Sequence, residues 1–568
     1  MRHHLVWVAL AIAGCSSSAR SQADRSVPDG ANGTGGGSFG GGAGFSGAGG
    51  SGGTGGGTPG CRTNAECVGG FTCDNGRCVP PEQEQNRGLG DAPPIATPRY
   101  VYALNPTAAS VARIDPVSLL IEAIAVGPRP LALVALPGED AALVLSFDDS
   151  SLSVIDSRTL PSKVTRVPLK RQYSRLTLSP DGRFAVAWPD PSTAPPSGAE
   201  GVFALVEIER LRTGATPAQA VSERAGGFRI TDVVFRTEAA RTTRLSVFAK
   251  STISTFDLTN PAASLPTRLT LPASFSSEIS SREVVATQDG RVVLLRSTVA
   301  PELAAFDGTA LNTVPLSEVA TDLDLLPDGT AAVAALRSAG SVAWIEIPAD
   351  LTAPSGIEVF RVADGGVGQV ALPESASDAG VFAFVWSNVA GDESVSRVDF
   401  PSGRVVRYPV EKLVDEVAVS PDSRSALIIH RSNAATTATD PYEAAVDRDE
   451  GFSVFDVPSG FAQLQRTGTT KPTRYAFSPR GGFVGVALRN DALRRYQLQA
   501  VNLSSLVSTT LPLASTPLYM GTVPEAPGIT PHRVFVSQQH PAGRISVIQL
   551  DTGQVRTATG FTLNWEIQ

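Results

Sequence analysis

The amino-acid sequence predicts an all-β protein whose main part is a β-propeller of four-stranded blades. The chain has 568 residues with 54 Gly and 42 Pro, which is too long for one ordinary domain and too rich in turn formers to be mostly helical. From about residue 100 onward an apolar strand, a tight turn, a second apolar strand and a third strand recur. Their spacing of roughly 40–60 residues is the period of four-stranded propeller blades.

The recurring turn carries residues that favour its geometry. In the clearest copy, Ser179, Pro180, Asp181 and Gly182 separate two apolar runs at 175–178 and 183–188. Pro presets the backbone angle at the second turn position, Asp accepts hydrogen bonds from its own backbone, and Gly accepts a positive φ. Further turns are centred on residues 136–140, 236–238, 287–290, 326–329, 372–374, 420–423, 478–481 and 523–525.

Counting these turns gives nine internal units, and residues 100–126 supply three strands of a tenth. Residues 561–567 alternate apolar and polar side chains, and we expect them to provide the missing first strand of that unit and to close the ring. Because propellers usually have four to eight blades, three interpretations stay open: some units are insertions, the ring is unusually large, or there are two rings.

The SPDG turns and the acidic residues that end the third strands resemble the WD40-like and YVTN-type propellers of bacterial envelope proteins. Such third-strand endings include Asp156, Asp257, Asp307, Glu346 and Asp456. The resemblance covers the part from about residue 100 onward and implies a propeller fold. The Trp-Asp and Gly-His signatures of eukaryotic WD40 repeats are not evident in this sequence.

The N-terminus predicts export. A basic start is followed by a short apolar run at 5–13, which is typical of a signal peptide. Ile12, Ala13, Gly14 and Cys15 resemble the lipobox of bacterial lipoproteins. This resemblance implies cleavage after residue 14 and lipidation of Cys15, including a palmitate chain, and Ser16 in place of Asp favours the outer membrane. The alternative is an ordinary signal peptide that contains a chance cysteine.

Three short regions precede the propeller. Residues 15–60 form a Gly-rich stretch that cannot bury enough apolar surface to fold, so we expect a flexible tether. Residues 61–79 hold a C-x5-C-x5-C-x4-C pattern, which in an exported chain predicts a mini-module with two disulfides. Of the three connectivities we favour Cys61–Cys73 with Cys67–Cys78, and a zinc site is the alternative. Residues 80–98 form a polar linker, and 99–568 the propeller.

Charge and hydropathy argue against several classes of function. The net charge of −8 disfavours a nucleic-acid partner bound by a basic surface. After the N-terminus, no uncharged apolar run is long enough to span a bilayer, so a channel or transporter is excluded.

Few side chains carry an expectation of catalysis. Three histidines follow the signal peptide: His430, His532 and His540. His430 ends an apolar strand and could face the central channel. No Ser or Cys is paired with any of the three by sequence, so a surface or structural role is favoured over nucleophilic catalysis.

One acidic stretch is a candidate metal site. It lies between two strands of one unit and could offer hard oxygen ligands to Ca²⁺, the one cofactor considered, but it lacks the D-x-D-x-D-G spacing. A solvated loop is therefore the favoured interpretation, with 189–200 as a second insertion. Its carboxylates are those of Asp440, Glu443, Asp447, Asp449 and Glu450.

Together these features predict a non-enzymatic envelope lipoprotein. A lipid anchor would attach it to the membrane, and the propeller would act as a binding or scaffolding module for a protein or polysaccharide partner. Two alternatives stay open: a propeller enzyme of hydrolase or lactonase type that acts on a small exported substrate, with Ca²⁺ as its metal, and a purely structural surface protein.

Overall fold

A computed structural model describes residues 93–561, apart from 107, 193–199, 363–366, 375–379, 389–390, 526–530 and 541, together with the backbone of two short strands further upstream. Residues 93–561 form ten four-stranded antiparallel sheets in which sequence neighbours pair, as predicted for propeller blades. The upstream strands, β1 (Thr72–Asp74) and β2 (Arg77–Val79), form an antiparallel hairpin. Its register aligns Cys73 with Cys78.

The strands of the ten blades follow the chain in order. Blades 1–5 comprise β3–β6 (Ile95–Ala96, Val101–Asn105, Ser110–Ile114, Ile121–Ala125), β7–β10 (Pro130–Ala135, Ala141–Ser146, Ser151–Asp156, Lys163–Pro168), β11–β14 (Arg175–Leu178, Phe184–Trp188, Val202–Glu207, Val221–Ala225), β15–β18 (Ile230–Glu238, Arg241–Ala249, Thr252–Asp257, Thr267–Thr270) and β19–β22 (Arg282–Ala286, Val293–Ser297, Glu302–Phe306, Leu311–Pro315). Blades 6–10 comprise β23–β26 (Asp322–Leu325, Ala331–Leu336, Ser341–Glu346, Glu358–Arg361), β27–β30 (Gln369–Ala371, Val381–Trp386, Ser394–Phe400, Arg404–Pro409), β31–β34 (Val414–Val419, Ser425–His430, Glu450–Asp456, Phe461–Gly468), β35–β38 (Lys471–Phe477, Phe483–Asn490, Arg495–Asn502, Ser508–Pro512) and β39–β42 (Pro517–Thr522, Arg533–Gln538, Arg544–Gln549, Gln554–Thr559).

The ten blades form one closed ring, which decides between the interpretations that the sequence left open. Each of ten apolar clusters in the described part of the chain lies between two successive blades. The cluster between blades 10 and 1 closes the circle and contains Val101, Ile114, Phe535 and Phe561. Burial of these side chains stabilises the ring by about 25 cal/mol for each Å² of apolar surface removed from water.

The predicted turns have the expected chemistry and also connect blades. Ser179 Oγ accepts a hydrogen bond from the backbone N–H of Phe184 at 2.9 Å and donates to Asp181 Oδ1 at 2.7 Å. Gly182 has a φ of +68°, as the turn requires. Asp181 Oδ2 also accepts from the backbone N–H of Thr242 in blade 4, at 2.7 Å. The turn carboxylate therefore links two blades.

Antiparallel pairing places the connections of each blade at two ends. The connections between second and third strands, and from each fourth strand to the next blade, lie at one end, which we call the upper face; it includes 189–201 and 431–449. The other end, which includes the turns at 179–182 and 420–423, is the lower face. The first strands of successive blades lie beside one another around the centre of the ring.

Five first strands contain a bulge that the sequence did not reveal. The register shifts after the first residue of β7, β15, β31, β35 and β39. In β15 the extra residue is Thr231, whose hydroxyl donates to the carbonyl of Phe248 at 3.2 Å, and in β35 Thr473 donates to Ala487 at 3.3 Å. A β-bulge bends its strand and redirects the following side chains.

The first blade differs from the prediction. Its first strand is Ile95–Ala96, which pairs with Tyr102 and Val101, so the propeller begins within the predicted linker 80–98. Of the C-terminal strand predicted at 561–567, only Phe561 is among the described residues, and it lies in a turn against blade 1.

Four short α-helices lie in three of the connections between the described strands. On the lower face, α1 (Ile208–Arg212) and α2 (Pro217–Ala220) lie in blade 3, and α3 (Ala349–Thr352) lies in blade 6. On the upper face, α4 (Pro441–Arg448) lies in blade 8. Among the described residues, no helix has the length and apolarity needed to cross a bilayer.

Candidate functional site

The longest connection between second and third strands lies on the upper face of blade 8. This blade-8 insertion, residues 431–449, links β32 to β33 and contains α4. It also holds four of the five carboxylates that the sequence identified, and the fifth, Glu450, begins β33. Long connections on a rigid scaffold are where binding residues concentrate.

Part of the insertion is a helix, α4, where the sequence predicted a solvated loop. Asp440 caps the helix because its Oδ1 accepts from the backbone N–H groups of Tyr442, at 2.7 Å, and Glu443, at 3.1 Å. Pro441 stands at the first helical position, where its missing N–H has no cost. Ala444 and Val446 turn inward and are buried. The helix is thus specified by its cap and by two small apolar contacts.

A buried lysine that the sequence reading missed fixes the end of this helix. Lys412 lies in the connection from blade 7 to blade 8 and is 1% exposed. Its Nζ donates to the carbonyl oxygens of Val446, at 2.5 Å, and Asp447, at 3.1 Å. Burial lowers the pKa of Lys412, and the carboxylates around it, Asp447 foremost, act in the opposite direction. The ammonium therefore satisfies carbonyls that the last helical turn leaves unpaired.

His430 has the structural role that the sequence favoured, and it is buried inside the fold instead of facing the central channel. It ends the second strand of blade 8 and is 1% exposed. Its Nε2 lies 2.7 Å from Ser453 Oγ and its Nδ1 lies 3.3 Å from the carbonyl oxygen of Leu413. Burial lowers the pKa of His430 to about 3, so the ring is neutral at physiological pH. Its role is to join three segments beneath the insertion.

Four of the five carboxylates have separate partners. Asp440 caps α4, Asp449 Oδ2 accepts from Arg466 Nη2 at 2.6 Å, and Glu450 Oε1 accepts from Ser432 Oγ at 2.9 Å. Asp447 Oδ2 accepts from the hydroxyl of Thr436. Within the described ranges, no group of three or more His, Cys, Asp or Glu side chains could hold a metal ion. Binding of Ca²⁺ by these carboxylates stays a prediction.

Several carboxylates of this part of the upper face lie close enough to influence one another electrostatically. Burial raises the pKa of Glu393, and the nearby charges of Asp447, Glu411 and Glu443 raise it further, while Lys412 acts in the opposite direction. Like charges close enough to shift a pKa repel one another, and they attract cationic groups from outside.

The upper face of blade 8 carries an exposed aromatic ring in addition to these carboxylates. Tyr442 is 69% exposed, and Glu411 and Glu443 are also exposed. The guanidinium of Arg466 lies 5.7 Å from the centroid of the Tyr442 ring. We call Glu411, Tyr442 and Glu443 the acidic patch. An exposed ring beside carboxylates can contact an apolar surface and accept hydrogen bonds from donors on a partner.

The other two histidines have local contacts. His540 Nδ1 accepts from the backbone N–H of Ala542 at 3.1 Å. The ring of His532 lies 4.8 Å from that of Phe483, and its backbone has a φ of +65°. These contacts are within blade 10 or with blade 9 and are structural in kind.

The second insertion, residues 189–201 of blade 3, is anchored by an ion pair. Asp190 has a fully buried side chain, and Arg175 Nη2 lies 2.6 Å from its Oδ2. Arg229 Nη2 donates to the carbonyl oxygen of Pro191 at 2.8 Å. Burial would raise the pKa of Asp190, but hydrogen bonds with Ser192 and Arg175 hold it below its ordinary value.

The N-terminal site predictions concern other parts of the chain. Cys15, Cys61 and Cys67 lie outside the described residues, and for Cys73 and Cys78 only the backbone is described. Lipidation of Cys15 and the two disulfides stay predictions.

Comparisons with known proteins show no matching family model and no matching curated protein. Solved structures with some similarity include dihydro-heme d1 dehydrogenase NirN in complex with DHE (14% identity, TM-score 0.38, covering 66% of this chain and 73% of that one). Others are Kuenenia stuttgartiensis hydrazine synthase (13%, 0.32, 56% and 92%) and a eukaryotic initiation factor (11%, 0.43, 81% and 95%). At these values the comparisons carry no argument about activity, and the propeller rests on the strand pairing of this chain.

Proposed function

We propose that this protein is a lipid-anchored binding or scaffolding module of the outer membrane, whose propeller presents its upper face to an envelope protein or a polysaccharide. The lipobox-like residues that end at Cys15 and the Gly-rich region 15–60 support an anchor followed by a tether. A tether keeps a binding module at high local concentration near its membrane.

The acidic patch is the observation that carries the proposal. Tyr442 and Glu443 of the patch lie on α4, whose end Lys412 holds through the carbonyls of Val446 and Asp447, and Glu411 directly precedes Lys412 in the chain. Fixed exposed groups lose little conformational freedom on binding, which favours affinity. The candidate acid–base group His430 is buried and neutral, and it contacts Ser453 and Leu413 inside the fold, so the same region favours recognition over catalysis.

Cross-linking in intact cells, followed by purification and mass spectrometry, tests this function. Four chains are compared: wild type, Cys15→Ser, the patch variant Glu411→Lys/Glu443→Lys, and the control Glu346→Lys/Glu358→Lys. The control makes the same charge change at exposed positions at the lower end of blade 6.

We expect one reproducible envelope partner with wild type and control. The partner should be lost with Cys15→Ser, because the tether no longer holds the propeller at the membrane, and with the patch variant, because the recognition surface is reversed in charge. Equal recovery of the partner with the patch variant would show that another surface binds it. Specific turnover of a small substrate by the purified chain, in the absence of any partner, would contradict the proposal in favour of an enzyme.

A further inference from the structure

A cleft opens on the lower face between blades 4 and 5. It encloses about 250 Å³ of space, part of which is open to the solvent. Blade 4 lines the cleft with Arg236, Arg244 and Ser246. Blade 5 lines it with Phe306 and with two glycines. Every residue of these two blades, 230–315, is described, so the walls of the cleft are complete.

The two arginines of the cleft lie directly opposite each other. Arg236 of β15 is the register partner of Arg244 of β16. The side chains of Val234 and Ser246, two positions further along each strand, line the same cleft. Like charges at directly opposite positions of an antiparallel pair destabilise it. The fold therefore holds two positive charges where each raises the energy of the other.

Contacts within the protein compensate Arg236 in part. Its Nε lies 3.0 Å from Glu238 Oε1, and its Nη1 donates to the carbonyl oxygen of Asp307 in blade 5 at 3.0 Å. The Glu238 side chain is 47% exposed, so solvent screens its attraction to the guanidinium. Because a guanidinium has five N–H donors, Arg236 keeps donors for a further acceptor.

Arg244 is compensated less. Among the described residues it takes part in no hydrogen bond and no close ion pair. Its register partner on β17 is Asp257. Hydrogen bonds from Thr259 lower the pKa of Asp257, and the charge of Arg244 lowers it further. That carboxylate is exposed, and its Oδ1 accepts from the N–H and the hydroxyl of Thr259 at 2.8 and 2.6 Å. The Arg244 guanidinium therefore retains its donors for a group from outside.

Gly308 leaves the space in front of both arginines open. Its φ is +98°, a backbone conformation that favours glycine. A Cβ at this position would lie 3.1 Å from Arg244 Nη1 and 3.6 Å from Arg236 Nη1. The two Nη1 atoms thus converge on one small region, in which Gly308 presents no side chain. A single anion with several acceptor oxygens can contact both arginines there.

We propose that this cleft binds an oxyanion of the phosphate or sulfate type between Arg236 and Arg244. Guanidinium groups suit such anions because their paired N–H donors match two oxygens at once. The anion removes the repulsion between the two arginines, and the buried hydroxyl of Ser246 lines the same wall. The cleft lies on the face opposite the acidic patch, so this site does not depend on the function proposed above.

Isothermal titration calorimetry of the full chain with inorganic phosphate, at constant ionic strength, tests the site. We expect wild type to bind with a Kd of about 1 mM. Arg244→Gln should bind about tenfold more weakly, because it removes charge-assisted donors without breaking a hydrogen bond of the described fold. The control Arg291→Gln removes a 61% exposed arginine, 3.1 Å from Asp289 on the neighbouring turn, and should bind within about twofold of wild type.

Thermal unfolding separates loss of binding from loss of the fold. Without phosphate, Arg244→Gln should unfold no earlier than wild type, because the repulsion by Arg236 is gone. Phosphate should raise the midpoint of wild type and of Arg291→Gln by more than that of Arg244→Gln. Should Arg244→Gln fail to fold, Arg244→Lys keeps the charge, loses the paired donors and should bind several-fold more weakly than wild type.

Glucose 6-phosphate, as a second probe, distinguishes the source of the anion. Affinity similar to that of inorganic phosphate supports a group carried by a larger molecule, and binding of inorganic phosphate alone supports the free ion. Equal binding of phosphate by wild type and Arg244→Gln would show an adventitious ion only and would overturn the proposal. Absence of phosphate binding by wild type would overturn it as well.

Discussion

The two insertions of the upper face are fixed to the same ring by different electrostatic means. In blade 3 the insertion supplies a carboxylate, Asp190, to Arg175 of the first strand, at 2.6 Å. In blade 8 the ring supplies a buried cation, Lys412, to which the insertion offers backbone carbonyls. The first anchor requires an ionised side chain on each partner, and the second requires ionisation of the lysine alone. Acid should therefore weaken the blade-3 anchor and leave the Lys412 contacts of blade 8 in place.

Removal of Lys412 should have the largest effect on the stability of the fold. Lys412→Met leaves the carbonyl of Val446 without its buried donor and the carbonyl of Asp447 with the Asn433 N–H alone. We expect the free energy of unfolding to fall by about 3 kcal/mol. Hydrogen exchange should show that α4 loses protection first. Lys163→Met, at an exposed strand position, is the control and should be close to neutral. A stable Lys412→Met with unchanged protection of α4 would show that the lysine is not the anchor.

Loss of the Asp190 carboxylate in blade 3 should lower the free energy of unfolding by less than loss of Lys412. The size of this decrease should depend on pH. Asp190→Asn removes the charge that Arg175 contacts, with an expected loss of about 2 kcal/mol at pH 7. Because the folded pKa of Asp190 is lowered, its contribution is complete above the ordinary aspartate pKa of about 3.9 and is lost as the pH falls through the folded value.

Urea denaturation of wild type and Asp190→Asn at a series of pH values measures this difference. The difference in free energy of unfolding between wild type and Asp190→Asn should narrow below about pH 4. Asp148→Asn, whose exposed carboxylate lies 3.4 Å from Arg129 on the same face, should be nearly neutral throughout. A gap that stays constant down to the lowest pH would mean that Asp190 contributes by packing and not by charge.

Low pH should also destabilise blade 8, because His430 is buried there in its neutral form. Its folded pKa of about 3 lies below the ordinary value of about 6.5, so the unfolded state binds a proton that the folded state refuses. Between these values wild type should lose up to about 1.4 kcal/mol of stability per pH unit from this residue. His430→Gln should remove this contribution to the slope of unfolding free energy against pH, whereas His540→Gln should leave the slope as in wild type. Equal slopes for all three chains would contradict a buried neutral His430.

Contacts between residues that are neighbours in the sequence could be predicted, whereas contacts between residues far apart in the chain could not. The blade repeat was predictable because the turn of Ser179 and Asp181 is built from neighbours. Lys412 was not, because Glu411-Lys412 looks like an ordinary polar turn, and its partner Val446 follows 34 residues later. The structural role of His430 was favoured from the sequence, but its partner Ser453, which lies 23 residues away, could not be identified for the same reason.

The acidic stretch shows the same limit. Its carboxylates are close in sequence, which raised the question of a shared ligand, but four of the five have separate partners. The helix itself was signalled by Asp440 followed by Pro441, a cap and a first helical residue. The acidic composition of the stretch favoured an exposed loop and drew attention away from this helix-start pattern.

The smallest effect should come from the ion pair at the end of the blade-8 insertion. Arg466 Nε and Nη2 donate to Asp449 Oδ2 at 2.9 and 2.6 Å, but the two side chains are 33% and 26% exposed. Solvent screens such pairs, so Arg466→Gln should cost less than about 1 kcal/mol, and about 1 M salt should remove the difference from wild type. Thermal unfolding at low and high salt measures both effects.

This last variant separates the two ways in which the blade-8 insertion could be held. Arg407→Gln is its control, because that arginine forms a comparable exposed pair with Asp392 in blade 7 and should give a similarly small, salt-dependent loss. If Arg466→Gln instead cost as much as Lys412→Met, and kept that cost in high salt, the outer ion pair would anchor the insertion. The contrast with blade 3 would then disappear, because both insertions would depend on a carboxylate paired with an arginine. A small loss confined to low salt leaves the buried lysine as the anchor and blade 8 as the insertion whose attachment requires no ionised acid.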